Sequence, residues 1–237
     1  MSDPLRIALV AEGKTDIVVL RAAIGALLEN REFVTRQLCP EFSNSFGRSI
    51  GGGWAAVYLW CRETVEQQGN QAKDRSFFGS HDLLVLHVDA DVAGIEYSSD
   101  TRVRDAPSGL PCSHPCPPAS ATTDALRRVV LGWLGETSVP PLTVLCTPSK
   151  STETWVLAAL FPDEATNLAI ELECRRDFEV ILQRMPSDRR LIRSTGKQIM
   201  EYRKREGQIR LAWPQVRANC SEAERFSQEF LAALLAS

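Results

Sequence analysis

Three acidic residues stand where a folded sheet would bring them together. Glu12 follows a short apolar run with β-branched members, and Asp89 and Asp91 end the apolar run at 82–91. Residues i and i+2 of a strand face the same side, so Asp89 and Asp91 are predicted to point at one centre. Carboxylates this close repel each other unless a hard cation is present, and oxygen ligands suit Mg²⁺ or Mn²⁺. The spacing therefore predicts a divalent-metal site.

The elements that position these residues alternate along the chain. Strands are predicted at 5–11, 32–38, 82–91 and 142–146, and helices from Ile17 to Leu28 with Thr15 as the cap, at 54–67, at 121–134 and at 152–160. This order favours an α/β fold with a mainly parallel sheet flanked by helices. Ligands of such sheets bind at the carboxyl ends of the strands, where the three acids and the segment Lys150–Glu153 should converge.

The rest of the chain is predicted to be loop and helix. Prolines crowd the interval 92–120, which has no periodicity and is expected to be an insertion at the rim of the site. Polar or glycine-rich loops are expected at 45–53 and 69–76. Helical segments are predicted near 164–184, 195–206 and 221–235. We therefore divide the chain into an α/β domain, 1–160, and a C-terminal helical extension, 161–237, that packs on it.

Charge and hydropathy limit the partners. The formal net charge of −3 gives no global attraction to nucleic acid, so a polyanion must be recognised through a local basic surface or a bound metal. No apolar run approaches the roughly 18 residues of a spanning helix, and the N-terminus lacks the pattern of a secretion signal. We expect a cytoplasmic protein with no membrane partner.

A local excess of basic residues occurs in the C-terminal part. Residues 175–210 contain eleven Lys and Arg against five Asp and Glu. Such a patch would grip a phosphate backbone next to an acidic metal site, although a solvated helix face explains it equally well. The residues predicted to bind substrate are Lys14, Arg189, Arg190, Arg193 and Lys197.

Two weaker motifs remain. The seven cysteines show no repeating framework and are expected to be reduced. Cys112, His114 and Cys116 would supply three zinc ligands, but a tetrahedral site needs a fourth, and the alternative is a proline-constrained surface loop. The glycines at 51–53 precede a helix and would suit a phosphate, yet they lack the lysine of a P-loop.

The order of these motifs resembles a known family. The EGKTD turn at 12–16, the strand ending in DxD at 89–91 and the later Glu153-Thr154-Trp155 are similar to the TOPRIM fold of topoisomerases, primases and OLD-type nucleases. The likeness is greater to small stand-alone bacterial TOPRIM-like proteins, and it covers roughly residues 5–160. The interval between Glu12 and Asp89 is longer than in compact members.

The resemblance implies a Mg²⁺- or Mn²⁺-dependent endonuclease of DNA or RNA. Glu12 matches the glutamate that acts as metal ligand or general acid/base, and Asp89 and Asp91 match the metal-binding pair. Lys150 matches, more loosely, a lysine that neutralises charge on the phosphate, and Glu153 an additional acidic ligand. By family analogy the protein would serve antiviral defence beside an ATPase partner, since this chain has no Walker motif.

Two other functions stay open. One is a non-catalytic TOPRIM-like module that binds a partner protein or nucleic acid and keeps the acidic site as a metal clamp. The other is a phosphotransfer domain of the receiver or phosphatase type, which would use aspartates where this chain has Glu12. Glu153 is also explained by the preference of a helix N-terminus for an acidic residue.

Overall fold

Four parallel strands form the centre of the protein. The computed structural model describes residues 3–40, 51–68, 80–103, 109–166 and 171–236. The strands are β1 (Leu5–Val10), β2 (Phe33–Cys39), β3 (Leu83–His87) and β4 (Thr143–Cys146), in the order β2-β1-β3-β4. The predicted α/β class with a parallel sheet is confirmed. The loops predicted at 45–50 and 69–76 lie outside the described residues.

Helices cover both faces of the sheet. They are α1 (Lys14–Leu28), α2 (Trp54–Gln68), α3 (Ala119–Trp133), α4 (Thr152–Leu160), α5 (Pro162–Thr166), α6 (Phe178–Arg184), α7 (Ile199–Asn219) and α8 (Ser221–Leu235). A two-stranded antiparallel hairpin, β5 (Ile192–Arg193) and β6 (Gly196–Lys197), precedes α7. Short 3₁₀ turns lie at Ala90–Gly94, Tyr97–Ser99 and Leu172–Cys174. No helix of the described residues is both long enough and apolar enough to cross a membrane.

Alternation along the strands separates two apolar layers. In β1, Ile7 and Leu9 pack with α1, α4, α7 and α8, whereas Ala8 and Val10 pack with α2 and α3. Because both faces are covered, the strands are apolar at nearly every position, as expected for a parallel sheet. In register, Ile7 lies opposite Leu83 of β3. The polar ends of β1 and β3 therefore reach the same edge of the sheet.

The C-terminal helices share the core of the sheet. Trp155 of α4 packs edge-to-face on Trp213 of α7, with ring centroids 5.5 Å apart, and its ring stacks near Phe226 of α8 at 6.3 Å. All three rings are almost completely buried. A buried Trp-to-Ala change typically costs about 3–5 kcal/mol, so these contacts tie α7 and α8 firmly to the α/β part.

Several predicted boundaries were wrong. Helix α1 begins at Lys14 after Gly13, and Thr15 makes no capping hydrogen bond. Strand β3 ends at His87, because the chain then turns into the 3₁₀ segment. Helix α7 continues well past the predicted end and through Pro214, since packing on α1 and α4 holds it.

The expectation of reduced thiols throughout was also wrong. Cys116 and Cys174 form a disulfide across 58 residues of sequence. Cys116 is therefore unavailable to the predicted zinc ligands Cys112 and His114. The backbone of His114 instead exchanges two hydrogen bonds with the Thr122 hydroxyl, at 2.9 and 3.1 Å. The disulfide joins the 92–120 insertion to the C-terminal part.

Candidate metal centre

The turn after β1 places Glu12 and Asp16 beside the end of β3. Asp16 is buried in the first turn of α1. The Glu12 carbonyl accepts a 2.8 Å hydrogen bond from Gly53 N. A Cβ atom on Gly52 would lie 2.9 Å from the same carbonyl, and Gly53 has φ +82°. The glycine segment thus holds the backbone of the Glu12 turn, where a side chain would not fit.

The end of β3 brings His87 and Asp89 to the same place. His87 is fully buried, and its Nε2 lies 3.1 Å from Asp89 Oδ1. The Asp89 backbone N–H donates to Glu12 Oε1 at 2.8 Å. Asp91 lies in the 3₁₀ turn that follows, where it is exposed, and its pairing with Asp89 at a metal stays a prediction. The side chains that share a side, as residues i and i+2 of an extended chain do, are those of His87 and Asp89.

Helix α4 supplies hydrogen bonds to two of these acids. Thr152, completely buried, donates its backbone N–H to Asp89 Oδ1 at 3.1 Å and its hydroxyl to Asp16 Oδ1 at 2.7 Å. A helix N-terminus favours negative charge through its unpaired N–H groups. Thr152 therefore fixes the relative positions of the two aspartates.

Asp16, His87 and Asp89 meet the geometry of a metal site. One ligand atom from each residue lies within 4.8 Å of the ligand atoms of the other two. Among the described residues, this is the group of His, Cys, Asp or Glu side chains that meets this distance. In the described part of the chain, Nδ1 of His87 is buried without a hydrogen-bond partner, and Nε2 has the 3.1 Å contact with Asp89 Oδ1. Buried polar atoms normally have partners, and an imidazole with two carboxylates is a donor set that a divalent transition ion fits.

Electrostatics in this group is unbalanced. Burial and the neighbouring Asp89 raise the pKa of Glu12 well above its usual range. Burial raises the pKa of Asp89 to about 7 although His87 opposes the shift. Burial lowers the pKa of His87, but Asp89, Asp16 and Glu12 outweigh it and bring the value to about 9. A divalent cation would stabilise the ionised carboxylates and so offset both the burial and the mutual repulsion that raise their pKa values.

Glu153 belongs to a different cluster. It is completely buried, and its Oε2 accepts hydrogen bonds from the Ser151 hydroxyl at 2.8 Å and Lys197 Nζ at 2.6 Å. Its Oε1 accepts from the Tyr202 hydroxyl at 2.9 Å. We do not keep Glu153 among the metal ligands, because both of its oxygens are occupied by donors. Lys197, predicted to bind substrate, is held in this ion pair.

Lys150 and Asp91 lie at a neighbouring cleft. Asp91 N donates to the Lys150 carbonyl at 3.1 Å. Both side chains line a cleft of about 440 Å³ together with Ser113, Arg176 and Glu179. Ala90, the residue after Asp89, also lines this cleft, so the cleft lies beside the acidic group.

The other predicted substrate-binding residues are distributed over the surface. The Arg189 guanidinium lies 4.9 Å from the centre of the Phe161 ring, and Arg190 Nε donates to the Met185 carbonyl at 2.9 Å. Arg193 and Lys14 are exposed. That these residues contact a substrate stays a prediction.

Sequence reasoning missed Asp16 and His87. Asp16 is the last residue of the EGKTD turn, and its position in the first turn of α1 puts it at the same sheet edge. His87 stands two residues before Asp89 inside an apolar strand, so strand periodicity would have selected it. Comparison of the chain with protein-family models, with curated proteins and with solved structures gave no significant match.

Proposed function

We propose that this protein is a divalent-metal-dependent phosphodiesterase acting on DNA or RNA, that is, a nuclease. The observation that carries the proposal is the buried group Asp16, His87 and Asp89 with Glu12 hydrogen-bonded to its edge. The TOPRIM resemblance points to the same chemistry. Antiviral defence and an ATPase partner are further predictions that rest on the resemblance alone.

Each residue of the group has a defined task. Asp16, His87 and Asp89 would hold the ion, and the imidazole among the ligands favours Mn²⁺ over Mg²⁺. When bound, the ion supplies polarisation of a phosphate oxygen and a lowered pKa for an attacking water. Thr152 orients the two aspartates through its 2.7 and 3.1 Å hydrogen bonds.

Glu12 is the proposed proton acceptor. Its Oε1 is held by Asp89 N, whereas its Oε2 has no hydrogen bond within the described residues and the side chain is half-buried. The pKa of Glu12 is raised by burial and by Asp89. A carboxylate with a raised pKa is a stronger base, so Glu12 Oε2 is suited to take a proton from the attacking water.

One feature favours a second function. Asp16, His87 and Asp89 are each less than a tenth exposed. An ion enclosed to this degree would have few positions for substrate, as in a structural site whose coordination is complete. This supports a non-catalytic binding module with a metal clamp as the alternative.

Metal binding and cleavage measured on the same variants separate these functions. Wild-type protein, Asp89→Asn, Glu12→Gln and the exposed-site control Asp188→Asn would be titrated with Mn²⁺ and Mg²⁺ by calorimetry. Each would then be incubated with plasmid, linear DNA and RNA. A nuclease requires that Asp89→Asn lose metal binding and cleavage, that Glu12→Gln lose mainly cleavage, and that Asp188→Asn behave as wild type.

The negative outcomes are equally definite. Metal binding without cleavage of any of the three substrates would favour the clamp. Absence of Mn²⁺ and Mg²⁺ binding by the wild type would overturn both functions as stated here.

A further inference from the structure

Two cations, Lys150 and Arg176, line the cleft beside the group Asp16, His87 and Asp89. Lys150 lies between β4 and α4, and Arg176 follows the 3₁₀ turn at Leu172–Cys174. Both line the cleft of about 440 Å³. Neither side chain forms a hydrogen bond or an ion pair within the described part of the chain. Arg175, the preceding residue, is by contrast paired with Asp177 at 2.9 Å.

The protein holds these like charges near each other. Lys150 is half-buried, and burial together with the neighbouring Arg176 lowers its pKa, against the opposing effect of Asp91. Keeping two cations close together without a direct ion pair costs free energy, which a bound anion would recover. The arrangement is therefore one that an anionic ligand would stabilise.

The acidic residues of the cleft lie near another cation. Glu179 is 3.8 Å from Lys197 Nζ, and Lys197 also acts on the Asp91 carboxylate, where it opposes the rise in pKa caused by burial. Lys197 thus partly neutralises the carboxylates of Glu179 and Asp91. The charges of Lys150 and Arg176 are therefore available to a ligand in the cleft.

The walls of the cleft are covalently joined. Ser113, whose hydroxyl is exposed, comes from the 92–120 insertion, and Arg176 comes from the segment after Cys174. The disulfide between Cys116 and Cys174, with a Cα–Cα distance of 5.4 Å, links the two segments. A site of this kind is held in shape before its ligand arrives, which lowers the entropic cost of binding.

We propose that Lys150 and Arg176 bind a phosphate monoester on a nucleotide-sized ligand, with Ser113 as an additional donor. A monoester carries close to two negative charges at neutral pH and so matches two unpaired cations, whereas an internal phosphodiester carries one. A volume of about 440 Å³ lies in the range of small-ligand pockets. That the ligand is a nucleotide or a strand end rests on the proposed function; phosphate binding itself does not.

Calorimetric titration in EDTA tests the site apart from metal and cleavage. The probes are inorganic phosphate, a nucleoside 5′-monophosphate, the same nucleoside, and a short oligonucleotide with or without a terminal phosphate. We expect the monophosphate to bind and the nucleoside not to bind. Lys150→Ala and Arg176→Ala should each weaken binding about tenfold or more, since charge-assisted hydrogen bonds are lost. The matched control is Arg203→Ala, an exposed arginine of α7.

The probes also distinguish the source of the phosphate. Tighter binding of the mononucleotide indicates a free nucleotide, and tighter binding of the phosphorylated oligonucleotide indicates a strand end; either supports the site. The proposal is overturned if the wild type fails to bind the phosphate probes at millimolar concentration. It is also overturned if the double variant Lys150→Ala/Arg176→Ala binds the monophosphate as the wild type does while its thermal unfolding is unchanged. Equal binding of the oligonucleotide with and without its terminal phosphate would overturn it as well.

Discussion

Two adjacent residues at the start of α4 take part in two buried polar clusters of opposite character. Thr152 donates to Asp16 and Asp89, in a cluster where carboxylates surround one imidazole that has no hydrogen bond within the described chain. Glu153 accepts from three donors, and Lys197 balances its charge. One cluster is left with excess negative charge, and the other is satisfied internally.

This difference teaches that burial by itself does not identify a functional acid. Glu153 is as deeply buried as His87 and follows the same strand-end logic, yet its partners make it structural. The acids around His87 have raised pKa values chiefly because they are buried, and the neighbouring carboxylates add to the rise while His87 opposes it.

The largest effect is expected for Glu153→Ala. Removing this carboxylate leaves the buried Tyr202 hydroxyl without its acceptor and takes the main ion-pair partner from Lys197, whose side chain is a third exposed. Breaking a buried ion pair costs about 3–5 kcal/mol, so the free energy of unfolding measured with urea should fall by that order. Glu164→Ala, at an exposed acid of α5, is the control and should change it by less than about 0.5 kcal/mol. Equal effects of the two variants would remove the structural role of Glu153.

The opposite behaviour is expected for Asp89→Asn. The amide oxygen still accepts from Thr152 N, and loss of a charge relieves repulsion, so the stability of the metal-free protein should be maintained. Mn²⁺ at 100 times its dissociation constant should stabilise the wild type by about 2.7 kcal/mol and the variant by much less. Thermal unfolding with and without Mn²⁺ measures both. An equal Mn²⁺ effect in both proteins would contradict the assignment of Asp89 as a ligand.

A third buried acid, Glu222, extends the comparison to pH. Its Oε2 has no hydrogen bond among the described residues, Arg225 lies 3.7 Å away, and burial raises its pKa to about 7. The folded state therefore favours the protonated form. Its contribution to stability is complete below the unfolded pKa near 4.5 and is lost as the pH rises through 7.

Glu222→Gln should remove this pH dependence. At pH 8 the variant should be more stable than the wild type by about 1–3 kcal/mol, and the difference should shrink towards pH 4.5. Urea unfolding at several pH values measures it, with Glu164→Gln, at an exposed acid of α5, as the control. Parallel curves for wild type and Glu222→Gln would show that the pKa of Glu222 is the same in the folded and unfolded protein, which would contradict the raised value.

The smallest effect is expected for Thr152→Val. Valine has nearly the same shape but cannot donate to Asp16, and one hydrogen bond to a charged group contributes on the order of 1–2 kcal/mol. The Mn²⁺ affinity should fall by up to about tenfold, and Thr152→Ser should restore most of it. If Thr152→Val binds Mn²⁺ as tightly as the wild type, Thr152 does not orient the ligands.

Local sequence pattern was enough to predict the framework and two of the acids at the candidate metal centre, Glu12 and Asp89. Apolar runs in β1, β3 and β4, separated by helical periodicity, predicted a parallel sheet, because only a sheet covered on both faces buries such strands. The same topology placed Glu12 and Asp89 at one edge, and in the structure they share a 2.8 Å hydrogen bond. These features depend on local pattern and on connection rules that act over short stretches of chain.

Which buried acids have their charge balanced depends on the tertiary structure. Asp91 is exposed because the chain turns into a 3₁₀ segment after His87, and no residue type at 88–91 predicts that turn. The donors to Glu153 come from Lys197 and Tyr202, which lie 44 and 49 positions later in the chain. Charge balance in a buried cluster depends on partners from distant segments, and a linear pattern carries no information about which segments meet.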